Sequence, residues 1–143
     1  MSQEHKPSRS FEVEMKVPFY DVDPMQIVWH GNYLKYFDVA RTALFDHFGL
    51  DLFNFYNPIR YVFPIIKTTT KYIQPLRHRD AFICKATIVE AKIKIVVDFE
   101  IRLLPERKLC TRGRTEQAAI KLPDMEMVYR IPEEIHKILE CSL

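Results

Sequence analysis

YLKYFDVARTALFDHF, residues Tyr33 to Phe48, is the one long run of this chain with a helical period. Tyr33, Phe37, Ala40, Leu44 and Phe48 share one face, and Leu34, Ala43 and Phe45 widen it. So broad an apolar stripe predicts a helix of about 16 residues, roughly 24 Å long, wrapped on most sides by other structure. Gly49 supplies a C-terminal cap where the stripe ends.

On either side the period falls to two. Before the helix, Phe11, Val13, Met15, Val17 and Phe19 alternate with Glu12, Glu14 and Lys16, which predicts a half-buried strand over Phe11–Phe19 with Pro18 near an edge. After it, Val62–Ile73 is rich in β-branched residues, Ala81–Ala91 alternates, and Ile95–Leu103 sets Ile95, Val97, Phe99, Ile101 and Leu103 against Val96, Asp98, Glu100 and Arg102. Leu109–Leu122 is a further long run. Such lengths predict strongly curved antiparallel strands joined by short turns, as at Leu104–Arg107 with its Pro105. A short helix over Pro132–Glu140, with proline in its first turn and acids after it, closes the sequence. One strand, one long helix, four strands and a terminal helix make an α+β domain, an antiparallel sheet with a helix on one face. A single such sheet leaves edges and an outer face to cover, which predicts a homo-oligomer.

Composition agrees and excludes several classes. The chain has 143 residues, 48% hydrophobic and 28% charged, with no repeat, linker or shift in composition, so residues 1–143 read as one domain. Lys+Arg number 21 against 19 Asp+Glu, and no basic run occurs, which argues against a nucleic-acid partner. Three glycines leave little for a Gly-rich phosphate loop. No apolar run approaches the roughly 18 residues of a membrane span. Residues 1–10 are polar, lack a signal-peptide core and read as a frayed lead-in. Cys84, Cys110 and Cys141 lie at wide spacings without zinc-site geometry, which predicts free thiols in a reducing cytoplasm and no metal.

The loop before the long helix narrows the function. Tyr20–Tyr33, YDVDPMQIVWHGNY, resembles the signature of hotdog-fold acyl-CoA thioesterases of the 4-hydroxybenzoyl-CoA thioesterase branch. That signature is a D-x-D loop, an apolar pair, an aromatic, then His or Tyr, then Asn-Tyr at the helix start. Phe37-Asp38-x-x-Arg41 is similar to the family's helix motif, and Tyr72-x-x-Pro75 followed by Asp80 to its second-strand turn. The resemblance runs from about Phe11 to Leu122. It implies a hotdog fold, a curved antiparallel sheet wrapped around one long central helix, in agreement with the element order above. It also implies an acyl-CoA substrate, no cofactor, and a dimer of dimers with active sites at the dimer interface.

Thioester hydrolysis needs a carboxylate to attack the carbonyl or activate water, and donors waiting for the oxyanion. A helix N-terminus offers unpaired N–H groups and a partial positive charge. By resemblance Asp23 is the catalytic carboxylate, as nucleophile or general base. His30 is catalytic through its backbone N–H, which polarises the carbonyl. Trp29, Asn32, Tyr33 and Asp38 are implied at the substrate, and Asp21 is read as structural. Asp38 has a second reading, as a helix-surface pair with Arg41 three residues on. Phe63 stands before Pro64 where aryl-specific members have a small hydroxyl residue, which favours another acyl group in an apolar pocket.

Phosphates of CoA call for basic groups. The resemblance puts Lys92 and Lys94 there, on a turn between two strands, although a solvated hairpin tip fits them equally. Arg77, His78 and Arg79 form another basic turn with the same two readings. The aromatic stretch Leu52–Tyr61 reads as core or subunit contact. Two functions compete with hydrolysis: a hotdog dehydratase acting on a 3-hydroxyacyl thioester, whose usual loop His and helix acid motif is not found, and a non-catalytic acyl-thioester binding module.

Overall fold

The computed structural model describes residues 9–52 and 61–140. Most of the lead-in, most of the aromatic connector and Cys141 lie outside those residues. Five strands form one antiparallel sheet in the order β1-β4-β5-β6-β3. These are β1 (Ser10–Lys16), β3 (Ile65–Tyr72), β4 (Ala81–Ala91), β5 (Ile95–Leu103) and β6 (Lys108–Gln117). A small second sheet orders β2 (Tyr61–Val62), β7 (Ala119–Lys121) and β8 (Glu126–Val128) as β2-β7-β8.

The long helix α1 spans Asn32–His47, and Tyr33, Tyr36, Phe37, Ala40, Leu44 and Phe45 are its buried face. Gly49 takes the left-handed conformation, φ 71°, and its amide donates to Asp46 O, ending the helix as the sequence requires. The inward residues of β4, Phe82, Cys84, Ala86 and Ile88, and those of β5, Ile95, Val97, Phe99 and Ile101, are all buried. Phe37 of α1 stacks on Phe99 with centroids 4.5 Å apart. Gly113 of β6 makes room for that ring, since a Cβ there would lie 2.4 Å from Phe37 Cε2. A curved antiparallel sheet holding one long helix is the hotdog arrangement. The terminal helix α2 (Glu133–Glu140) buries Ile135 and Leu139.

Where the elements differ from expectation, a proline, a change of sheet or a short length is the reason. The strand expected over Phe11–Phe19 ends at Lys16, and Phe19–Asp21 curl into a 3-10 turn after Pro18. Val62–Ile73 divides at Phe63-Pro64, because proline cannot donate to a ladder, and Leu109–Leu122 breaks at Ala118 as the chain changes sheets. β8 has only three residues, too few to show a period.

Candidate active site

Asp21 anchors the loop before α1. It is 3% exposed, and its carboxylate accepts hydrogen bonds from Lys35 Nζ at 2.6 Å and Tyr36 Oη at 2.7 Å. Burial and the donated bond to Asp21 push the Tyr36 phenol well above its usual range, so it stays a donor. The Asp21 carbonyl accepts from Trp29 N and Asn32 Nδ2, both at 2.9 Å, and so ties the loop's far end to its start. Asn32 thus closes the loop with its side chain.

Between these anchors Asp23 heads a tight turn. Its amide donates to Ile27 O and its carbonyl accepts from Gln26 N, both at 2.8 Å. Its Oδ1 accepts from Met25 N at 2.8 Å, an Asx-turn that leaves Oδ2 outside any bond among the described residues. Val28 N donates to Leu76 O at 2.8 Å, and Ile27 bridges to Arg77, which pins the loop to the segment before β4. Arg77 and Arg79 are exposed there, and Arg77 N donates to Asp80 Oδ2.

At the start of α1, the amides of Asn32 and Tyr33 donate to Trp29 O and His30 O. The amides of His30 and Gly31 donate to no backbone acceptor among the described residues, and they stand at the positive end of the helix. The Trp29 ring lies over Gly31, where a Cβ would come within 2.2 Å of Cζ3, so glycine is what lets the aromatic cover the helix start. Trp29 is half exposed and its ring centroid is 5.1 Å from that of His30. Tyr72, at the end of β3, donates from its hydroxyl to His30 O at 3.0 Å. Tyr33 is buried; Leu76 N donates to its hydroxyl and burial raises its pKa, so it serves the core rather than an open surface.

Further along α1 a cavity of about 560 Å³ opens, lined among others by Asp38, Arg41, Phe45, Leu52, Phe63 and Gln117. Asp38 and Arg41 form an ion pair across its rim, and Arg41 Nη1 also donates to Thr115 Oγ1 at 3.4 Å. Positions 34 and 31 lie one and two turns before Asp38, so the cavity's helix face leads back to the Gly31 amide.

Lys92 and Lys94 do not join this constellation within one chain. They follow β4, whose eleven residues span about 30 Å from the segment that holds the Asp23 loop. Lys94 pairs with Glu116 and draws its carboxyl pKa down. Sequence reasoning missed the Lys35–Asp21–Tyr36 cluster and the Tyr72 bond, since both join residues far apart in sequence. Tyr36 carried a signal nonetheless, as an aromatic beside the main apolar stripe.

A curved antiparallel sheet around one long central helix is a fold that thioester hydrolases use. The chain belongs to the thioesterase-like superfamily, whose family model matches residues 17–139. A Synechocystis protein named as an esterase is 22% identical over 130 residues, 90% of this chain and 78% of that one. A Bacillus subtilis protein named as an acyl-CoA thioesterase is 32% identical over 65 residues, 46% of each chain. Among solved structures, the 1,4-dihydroxy-2-naphthoyl-CoA thioesterase of Synechocystis superposes with TM-score 0.84 at 21% identity, covering 94% of this chain and 97% of that one. The 4-hydroxybenzoyl-CoA thioesterase of Pseudomonas sp. strain CBS-3 superposes with TM-score 0.80 at 20% identity, covering 92% and 99%.

Proposed function

We propose that this protein hydrolyses an acyl-CoA thioester to the free acid and CoA. The observation that carries the reading is the pair of unpaired amides at His30 and Gly31, next to a loop whose Asp23 keeps one carboxylate oxygen free. As general base, Asp23 takes a proton from water while the water oxygen bonds to the thioester carbon. The amides receive the negative charge that grows on the carbonyl oxygen. Collapse of the tetrahedral intermediate expels the CoA thiolate and releases the acid. As nucleophile, Asp23 would instead form an anhydride that water opens; trapping that anhydride with hydroxylamine, or finding ¹⁸O on Asp23 after a single turnover in ¹⁸O-water, identifies this route.

The cavity beside α1 is the proposed acyl site. Phe45, Leu52 and Phe63 make it apolar, and Asp38 is engaged by Arg41 rather than free for a ring hydroxyl. An apolar acyl group fits these walls better than a 4-hydroxybenzoyl group. The active form proposed is a dimer of dimers whose sites lie at the dimer interface. Edge strand β3 supports it: Ile65, Ile66 and Tyr72 are 40–49% exposed in the single chain. The free, buried thiols of Cys84 and Cys110 suit a reducing cytoplasm.

A panel of acyl-CoAs, with a thiol-trapping dye to report released CoA, tests the activity. Hydrolysis of apolar acyl-CoAs ahead of 4-hydroxybenzoyl-CoA is the expected result. No release of CoA from any member would overturn the proposal.

A further inference from the structure

Tyr72 opens the Tyr72-x-x-Pro75 motif, and its hydroxyl takes no part in the chemistry proposed above. That hydroxyl donates to the carbonyl oxygen of His30 at 3.0 Å. The same oxygen takes a longer bond, 3.4 Å, from Tyr33 N in the first helical turn. A side chain from a distant strand thus supplies the shorter of the two. The carbonyl of His30 and the amide of Gly31 belong to one peptide unit. In a trans peptide the two point in opposite directions within one plane, so whatever fixes His30 O also aims the Gly31 N–H. Glycine adds no side-chain restraint of its own, which makes an outside anchor matter more at this unit.

The anchor is itself well held. Tyr72 of β3 pairs with Thr111 of β6, and the next two amides, of Ile73 and Gln74, donate to Cys110 O at 2.8 and 3.0 Å. The Tyr72 ring meets the buried Tyr33 edge to face, with centroids 5.1 Å apart. The Tyr33 hydroxyl accepts from Leu76 N, and Leu76 O accepts from Val28 N of the loop. Edge strand, helix start and Asp23 loop therefore meet around one peptide. A bond accepted at the carbonyl also draws electron density from the amide, so linked hydrogen bonds strengthen one another.

We propose that Tyr72 is a positioning residue for thioester hydrolysis, fixing the Gly31 N–H through His30 O where charge grows on the thioester oxygen. The proposal rests on the hydrolytic reading above. Tyr72 touches no reacting atom and passes no proton. Charge on that oxygen is fully grown only in the transition state, so its loss should lower kcat and kcat/KM alike and leave KM.

Tyr72→Phe keeps the ring and removes the hydroxyl. It should lower kcat roughly tenfold, less than the loss of about 10² to 10³ on removing an oxyanion donor outright. KM, Tm, oligomeric state and the shape of the pH profile should not change. Infrared spectra of a ¹³C=O-labelled acyl-CoA bound to Asp23→Asn read the donor directly. Binding should lower the thioester carbonyl frequency, and adding Tyr72→Phe should return it part of the way. An unchanged kcat overturns the proposal. So does a rise in KM in place of the fall in kcat, which would make Tyr72 a substrate contact, or dissociation seen by light scattering, which would make it an interface residue. Loss of one limb of the pH profile would make it a proton donor and overturns the proposal too. Should the wild-type chain release CoA from no acyl-CoA, the hydrolytic reading fails, and the spectra decide Tyr72 alone: a downshift in wild type that Tyr72→Phe diminishes supports the assignment, and no downshift, or the same one in both proteins, refutes it.

Discussion

Asp21 and Asp23 stand two residues apart, yet changing each to asparagine should have opposite outcomes. Asp23 Oδ1 accepts from Met25 N, and an asparagine Oδ1 can accept the same bond, so Asp23→Asn keeps its turn. Only Oδ2, the oxygen left for chemistry, becomes an amide nitrogen that takes no proton. Stability should stay within about 0.5 kcal/mol, the usual range for a partly exposed site, or about 2 °C in Tm for a chain of this size. The turnover should not survive. Loss of a general base costs about 10² to 10⁴ in rate, roughly 3 to 5 kcal/mol of barrier. Asp21 is the reverse case, because both its oxygens are occupied, by Lys35 and by Tyr36, in a 3% exposed site. Asparagine there keeps one acceptor oxygen and sets an amide N–H against the Tyr36 hydroxyl, whose buried proton loses its acceptor, at a cost of about 1 to 3 kcal/mol, or several degrees of Tm. Lys35, about half exposed, returns to water and adds little. Thermal melts and kcat on the best acyl-CoA, measured for both variants, separate the roles. An Asp23→Asn enzyme that keeps more than about a tenth of wild-type kcat, barely 1.4 kcal/mol, would refute the assignment and make His30 the next candidate base.

Gly113→Ala should lower Tm by several degrees with kcat less affected, because the added Cβ meets the fully buried Phe37 ring at 2.4 Å and overpacking costs about 1 to 3 kcal/mol; an unchanged melt would mean that the stacked rings shift freely. Burial pushes the Cys84 thiol up to about 12, so the folded state resists ionisation that the unfolded chain permits. The thiol's contribution is fully present below its ordinary pKa near 9.0, and stability should decline as pH rises from there toward 12. Urea midpoints across that range, compared with Cys84→Ala, check the sign. Light scattering at micromolar concentration should show an oligomer, and a monomer alone would remove the proposed interface along β3.

What the sequence made legible were features set by neighbours in the chain. The helix follows from apolar residues three and four apart, and the strands from alternation, because a local period reports which side faces a core whatever that core is made of. The loop before the helix was legible for a different reason: a long motif, rather than any single acid, pointed to the family whose model matches residues 17–139, while the structure shows Asp23 heading a turn through Met25 N. Register was not legible. Lys92 and Lys94 were correctly seen to share a turn, but only the count of eleven residues in β4, together with the loop's bond to Leu76, puts that turn at the far end of the sheet. Arg112 and Lys71 lie 41 positions apart and read separately as outward charges on two strands. They become neighbouring charges on one face of the sheet only when β3 and β6 pair so that the two residues are opposite, while Arg114 and Arg102 take up the acids of β5. A charge's chemistry depends on what neutralises it. In a sheet the neutralising partner is fixed by strand order, so the sequence can name the charged residues and the fold alone says which of them are left over.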